Sequence, residues 1–234
     1  MNYSQLIFNE EHIKSKLKPF DSPERISISD EYFTPSAVLF SIIPYDNKPF
    51  DLVLIKRTDK GTRHRGEMSF PGGQKDPKDK NLIETALREC EEEIGVPRSE
   101  IKILGALNDF PTLTKYIITP IVGYFHNEIK LIKQEQEVRE ILKIPITFFI
   151  EKKNFREQAI DIGEKKFPIF YFNYKANGKK YTIWGATAYM IATFLYTVYG
   201  ISLSNLNIKR FTKDEIKPLK NYIELRKKIL ESNK

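Results

Sequence analysis

The stretch RECEEEIGV at residues 88–96 sets four glutamates within five positions, and the pair Gly72–Gly73 stands upstream of it in SFPGGQKDPKD. If this stretch is a helix advancing about 100° per residue, with Glu89 at zero, then Glu92 lies near ~300° and Glu93 near ~40°. Three carboxylates then share a face, while Glu91, at ~200°, turns away. Ile83, Ala86, Leu87, Cys90 and Ile94 gather between about 60° and 160°, an apolar stripe beside the acidic face. Arg88, near ~260°, adjoins Glu92 and can orient a carboxylate through paired hydrogen bonds. Mg²⁺ takes oxygen ligands, keeps several waters and shares the remaining positions with substrate phosphates, so glutamates at i, i+3 and i+4 suit it. The plain alternative is a solvated acidic face, because like charges at i,i+4 cost only about a few tenths of a kcal/mol. The two glycines let backbone groups approach a ligand closely, with a tight turn as their plain alternative.

Elements must position these groups. Ala37–Ile43 and Leu52–Ile55 are β-rich runs separated by PYDNKP and read as neighbouring antiparallel strands. The acidic helix is expected over about 81–94, stopped by Gly95 and Pro97. Ile101–Leu107 and Tyr116–Phe125 read as strands, and a short helix is expected over roughly 135–142, closed by Pro145. Phe167–Tyr174 and Lys180–Trp184 flank ANGK, a hairpin signal. A loose helical pattern covers 2–17, an apolar helix 185–199 and a charged helix about 212–231. The sum is one α/β domain with mixed strands and added helices at both ends.

The combination of PGG, Asp79 and RECEEEIGV resembles the Nudix box, a strand–loop–helix that binds Mg²⁺ and a substrate diphosphate, with Gly73, Arg88, Glu89, Glu92, Glu93, Gly95 and Val96 matching. The loop acid is Asp79 where the box has Glu, eight residues rather than seven precede Arg88, and Cys90 takes an aliphatic place. Those departures, with LIKRTDKGTRHRGEMSFPGG upstream, resemble the coenzyme A pyrophosphatase branch of the family, where Leu54, Arg57, Gly66 and Phe70 are counterparts. DFPTLTKYIITPIVGYF, EVREILKIPITFFIE and YTIWGATAYMIATFL are similar to further segments of that branch, in the same order. The resemblance runs from about 35 to 200. It divides the chain into an N-terminal helical extension (1–34), a Nudix domain (35–200) and a basic helical extension (201–234).

This resemblance implies a Nudix-type α/β/α sandwich with a mixed sheet, and an enzyme that hydrolyses a phosphoanhydride. Glu89 and Glu93 would be the main ligands of Mg²⁺ or Mn²⁺, Glu92 a third and the Gly73 carbonyl a fourth, with Arg88 positioning a glutamate. Glu137 and Glu140 are candidates for the general base. Lys56, Arg57, Lys60, Arg63 and Arg65 would approach the diphosphate with Gly72 and Gly73, because guanidinium forks bind phosphate bidentately. A solvated basic loop is their plain alternative. Coenzyme A or an acyl derivative, split to 3′,5′-ADP and a phosphopantetheine, is the expected substrate. ADP-ribose or another nucleoside-diphosphate compound, an RNA 5′ end, or a non-catalytic nucleotide-binding regulator stay open. Cys90 and the IWGAT residues Trp184, Gly185 and Thr187 read as structural. His64 falls in the basic loop, and His12 and His126 show no ligand spacing.

Composition sets outer bounds. With 41% hydrophobic and 29% charged residues the balance is that of a globular chain. No apolar run is long enough to span a bilayer, so no membrane partner is expected. Charges interrupt the N-terminus where a signal peptide needs an apolar run, and a single cysteine fits a reducing cytoplasmic setting. The net charge of +7 suits polyanionic partners such as nucleotides. From Ile201 onward, however, nine Lys or Arg face four Asp or Glu, so much of that excess belongs to the tail. Aromatic–basic interleaving of the kind that binds single-stranded nucleic acid is missing, which argues against RNA. The terminal helices leave two readings open, homodimer contacts or cover for a sheet edge.

Overall fold

Thr34–Ile43, TPSAVLFSII, is buried at its last eight positions and forms the centre of the main sheet, as a strand covered on both faces must. The computed structural model describes residues 3–59, 65–162, 165–205 and 213–232. Its helices are α1 (Glu10–Lys16), α2 (Leu82–Ile94), α3 (Ile146–Ile150), α4 (Gly185–Tyr199) and α5 (Ile216–Ser232). The first strands are β1 (Thr34–Ile43), β2 (Asp51–Arg57), β3 (Met68–Ser69), β4 (Gly72–Gln74), β5 (Lys102–Ala106) and β6 (Phe110–Pro111). They are followed by β7 (Tyr116–Tyr124), β8 (Val138–Pro145), β9 (Phe155–Ile162), β10 (Lys165–Ala176) and β11 (Lys179–Trp184).

The main sheet is mixed. β1 runs parallel to β7 and antiparallel to β2, while β5 pairs β7 and β8 pairs β2, both antiparallel. β1 and β2 are in register only at Ile42–Leu52 and Ile43–Asp51. Beyond that point the chain from 68 to 74 enters between them, with β3 on β2 and β4 on β1. Phe70 sits between those two short strands, fully buried, with its ring 4.4 Å from Phe40. This wedge carries the twin glycines into the middle of the sheet's end.

Strand alternation makes two cores. Phe40, Ile42, Leu52 and Leu54 face α4, whose Phe194 ring lies 4.5 Å from Phe40. Leu39, Val53, Ile55 and Ile121 face Ala86, Cys90 and Ile94 of α2. Helices thus cover both faces, the α/β/α arrangement expected. Leu6, Ile13 and Leu17 belong to the α4-side core, so the N-terminal segment packs into it. A third cluster joins Ile216, Leu219 and Ile223 of α5 to Ile28, Phe33 and Ile117. The hairpin β10–β11 turns at Asn177 and Gly178, both with positive φ, and β9 adds a third strand to it.

One expected element is different. The segment read as a short helix over 135–142 is instead the start of β8, which pairs with β2 along its whole length. A bulge explains the misreading. Val138 pairs with Arg57 and Glu140 with Lys56, leaving Arg139 as the extra residue. Val138 and Ile141 therefore reach the same core at a spacing of three, which imitates helical periodicity. At the N-terminus the loose pattern over 2–17 resolves into a helical turn at Tyr3–Leu6 and the separate α1, capped by Asn9, whose side chain accepts the His12 N–H.

Candidate active site

Helix α2 starts where Asn81 accepts the Glu84 N–H and stops at Gly95, whose φ of 72° closes the last turn. Its carboxylates are buried in the order their angles to the apolar stripe dictate. The Glu93 side chain is only 2% exposed, Glu89 15% and Glu92 56%. Glu91 turns away and pairs with Arg98 at 2.7 Å.

Glu93 is held from two sides. Its Oε2 accepts the Gly72 N–H at 2.8 Å, and its Oε1 accepts from Nη1 of Arg57 at 3.0 Å. Burial pushes its carboxyl up to about 8, against the pull of Arg57 and the Gly72 N–H, and Glu89 and Glu137 push the same way as burial. Burial also raises Glu89, with Arg88 opposing and the charges of Glu92 and Glu137 adding to the rise. A Cβ at Gly73 would stand 2.4 Å from Glu89 Oε1, so a side chain there would displace that carboxylate from the backbone.

Arg88 is the hub of the cluster. Its Nε and Nη2 donate to Asp79 at 3.0 Å, its Nη1 to Glu89 at 2.8 Å and Glu92 at 3.0 Å, and its Nη2 also to the Gln74 carbonyl at 3.1 Å. Asp79 is buried and further accepts from the Asp76 N–H and the Thr85 hydroxyl. Arg88 holds the Asp79 carboxyl well below the usual carboxylate range, and Asp79 in turn holds the guanidinium firmly charged. The loop acid is thus the anchor of the arginine that aligns Glu89, a role the sequence reading, which treated Asp79 only as a departure from a pattern, had missed. The available signal was Thr85 and Arg88 one turn apart on the helix after a loop carboxylate.

The two base candidates separate. Glu137 lies 3.6 Å from Nη2 of Arg57 and its charge acts on both Glu89 and Glu93. Glu140 points to the other face of the sheet, where its carboxylate accepts from the Tyr181 hydroxyl at 2.8 Å and Lys179 at 3.0 Å. Burial pushes the Glu140 carboxyl up, but Lys179, Tyr181 and Lys56 together bring it below its ordinary value. The basic residues divide in the same way. Arg57 turns to the acidic helix, whereas Lys56 lies over the Tyr181 ring at 5.4 Å. Arg65 is exposed, and Arg63, with Lys60 and His64, lies outside the described residues. Thr187 does fasten α4, donating to the Met68 carbonyl at 3.1 Å. Trp184, expected to fix that helix against the sheet, is instead 41% exposed.

The donor set fits a hard divalent ion. Glu89, Glu93 and Glu137 repel one another at the end of one sheet, beside glycine backbone, a surplus of oxygen ligands that a cation would relieve. Among the described residues no three His, Cys, Asp or Glu close into a ready-made cage. No helix among the described residues is long and apolar enough to cross a membrane.

The NUDIX domain family model matches residues 35–153, which hold β1, the glycine wedge, α2 and β8. The protein named Uncharacterized Nudix hydrolase NudL from Photorhabdus laumondii is 32% identical over 170 residues, 72% of this chain and 86% of that one. Nudix hydrolase 15, mitochondrial, from Arabidopsis thaliana is 33% identical over 169 residues, 70% of this chain and 59% of that one. Among solved structures, the Ap4A hydrolase binary complex from C. elegans aligns with a TM-score of 0.42 and 14% identity, over 48% of this chain and 80% of that one. The family match spans half the chain, and by it the chain belongs to the Nudix hydrolases, which act on the pyrophosphate bonds of nucleoside diphosphate derivatives.

Proposed function

We propose that the chain is a divalent-metal-dependent pyrophosphatase that cleaves the diphosphate of coenzyme A, or of an acyl derivative, into 3′,5′-ADP and a phosphopantetheine. The observation that carries the hydrolytic part is the buried Glu93, fixed between the Gly72 N–H and Arg57 and electrostatically coupled to Glu89 and Glu137. The fit to the coenzyme A branch of the family, through LIKRTDKGTRHRGEMSFPGG and the segments after it, supports the substrate.

In this reading Glu89 and Glu93 would hold Mg²⁺ or Mn²⁺, with Glu92 at the rim and the Gly73 carbonyl as further oxygen donors. The ion, when bound, neutralises diphosphate oxygens and acidifies water. Arg88, braced by Asp79, keeps Glu89 aligned and does not touch substrate. Glu137 takes the proton from the attacking water as the new phosphorus–oxygen bond forms and the anhydride bond breaks, its bridging oxygen leaving with the second phosphate. Glu140, committed to Tyr181 and Lys179, is not the base. Arg57, with Lys56, Arg63 and Arg65 from the same stretch, supplies positive charge for the diphosphate and the separate 3′-phosphate.

The test is a substrate panel. The full chain with Mg²⁺ or Mn²⁺ is incubated with coenzyme A, ADP-ribose and triphosphorylated RNA, and products are identified by mass. Release of 3′,5′-ADP is the expected result. Intact coenzyme A beside rapid turnover of another compound overturns the substrate assignment. Glu93→Gln is expected to lower kcat by roughly 10²–10³-fold, since a charged ligand is lost, and full activity in that variant overturns the metal site.

A further inference from the structure

Trp184, the single tryptophan of the chain, ends β11 and occupies the N-cap position of α4. That position favours Ser, Thr, Asp or Asn, whose side chains accept a backbone N–H of the first turn. Here no side-chain cap bond forms, and the indole stands 41% exposed. The fold thus forgoes a cap and leaves a large apolar surface in water, and neither is explained by packing. Trp184 lies parallel to Tyr171, its partner across the hairpin, at an interplanar angle of 9° and a centroid distance of 6.2 Å. The guanidinium of Arg156 covers the Tyr171 ring at 4.0 Å.

These rings form one wall of a groove of about 480 Å³, which Lys56, Lys180 and Met68 also line. Lys56, Lys180 and Glu67 line the groove beside this aromatic platform, and a platform near ammonium groups suits a flat, π-rich ring that carries an anionic group. The groove and the acidic site are built from the same stretches of chain. Met68 begins the wedge whose Gly72 meets Glu93, and four residues of extended chain span at most about 14 Å. Lys56 of the groove and Arg57 of the acidic site are neighbours on β2, turned to opposite faces.

We infer that this groove, formed by the hairpin β10–β11 and the start of the wedge, binds the nucleoside end of the substrate, with the base on Trp184 and an attached phosphate between Lys56 and Lys180. The inference rests on the nucleotide substrate of the proposed function but not on its being coenzyme A. The groove's hairpin wall lies beyond residue 153, outside the matched domain.

Because Trp184 is alone, its emission reports directly on the groove. AMP titrated into the full-length protein is expected to quench that emission saturably, whereas inorganic pyrophosphate, which has no base, leaves it unchanged. Trp184→Leu is expected to raise KM for the cleaved nucleotide about tenfold with kcat within about twofold, and Trp184→Phe to restore most of the affinity. Emission unmoved by AMP, or quenched by pantetheine and not by AMP, overturns the groove. Should AMP leave the emission unchanged while coenzyme A is cleaved, the groove falls and the proposed function stands. Should AMP quench while no nucleotide is cleaved, the proposed function falls, and with it the groove's role as a substrate subsite.

Discussion

Asp79 shows how one side chain sets the geometry of its neighbours. It receives Arg88, the Thr85 hydroxyl and a backbone N–H while almost wholly buried, so its removal leaves a guanidinium without its main partner. Breaking a buried ion pair costs ~3–5 kcal/mol, and the partial exposure of Arg88 reduces that. Asp79→Ala is therefore expected to lose about 2–3 kcal/mol in urea unfolding, and to lower turnover more than stability alone requires, since Glu89 loses its alignment. The two base candidates give a sharper contrast. Glu137→Gln is expected to lower kcat about 10²–10⁴-fold, and Glu140→Gln to change it by less than about twofold, measured by steady-state kinetics on the cleaved substrate. Which glutamates share a face was legible in the sequence, because helical geometry alone fixes it. The difference between Glu137 and Glu140 was not, because it depends on the bulge at Arg139 and on Tyr181, a residue of a distant hairpin.

At the scale of elements, the wedge from 68 to 74 is the unexpected piece. Sequence patterning found β1, β2, β5, β7, the hairpin, α2 and α4, since each has a clear period or a strong stop. Two-residue strands have no period to read, and β3 and β4 exist only because β1 and β2 part company. Phe70 fills the space so opened. Phe70→Ala is expected to destabilise the fold by ~3–5 kcal/mol and to disorder the glycines that meet Glu93 and Glu89. Helix α5 is attached differently, through the Lys220–Asp30 pair at 2.5 Å and through Glu224, which accepts from Tyr32 and Lys115. Lys220 holds the Asp30 carboxyl low, and Tyr32 with Lys115 does the same for Glu224. Groups with lowered folded-state values stabilise above their unfolded values and lose that contribution as pH falls through the folded ones. Amide protection in α5, taken relative to the intrinsic exchange rate at each pH, is therefore expected to fall on acidification before it does in β1 or β7.

For the whole molecule, the proposed ion site would link ion binding to folding through the acidic helix. Carboxylates that repel one another in the folded chain are stabilised by anything that neutralises them there and not in the unfolded state. Mg²⁺ or Mn²⁺ is expected to raise Tm of the wild type, and a chelator to return it, with a much smaller rise in Glu93→Gln by differential scanning fluorimetry. The two-faced sheet divides the labour. One side faces the acidic helix; the other carries the hairpin, and β2 gives one cation to each. Cys90, the only sulfhydryl, lies fully enclosed under that acidic helix, and burial pushes its thiol far above the ordinary range. Alkylating reagents should therefore pass it by in the native state, so a cysteine introduced at the surface would take a dye at that point alone. With the indole as a natural donor at the hairpin, such a chain becomes an optical gauge of the distance from the hairpin to the labelled point, with and without nucleotide.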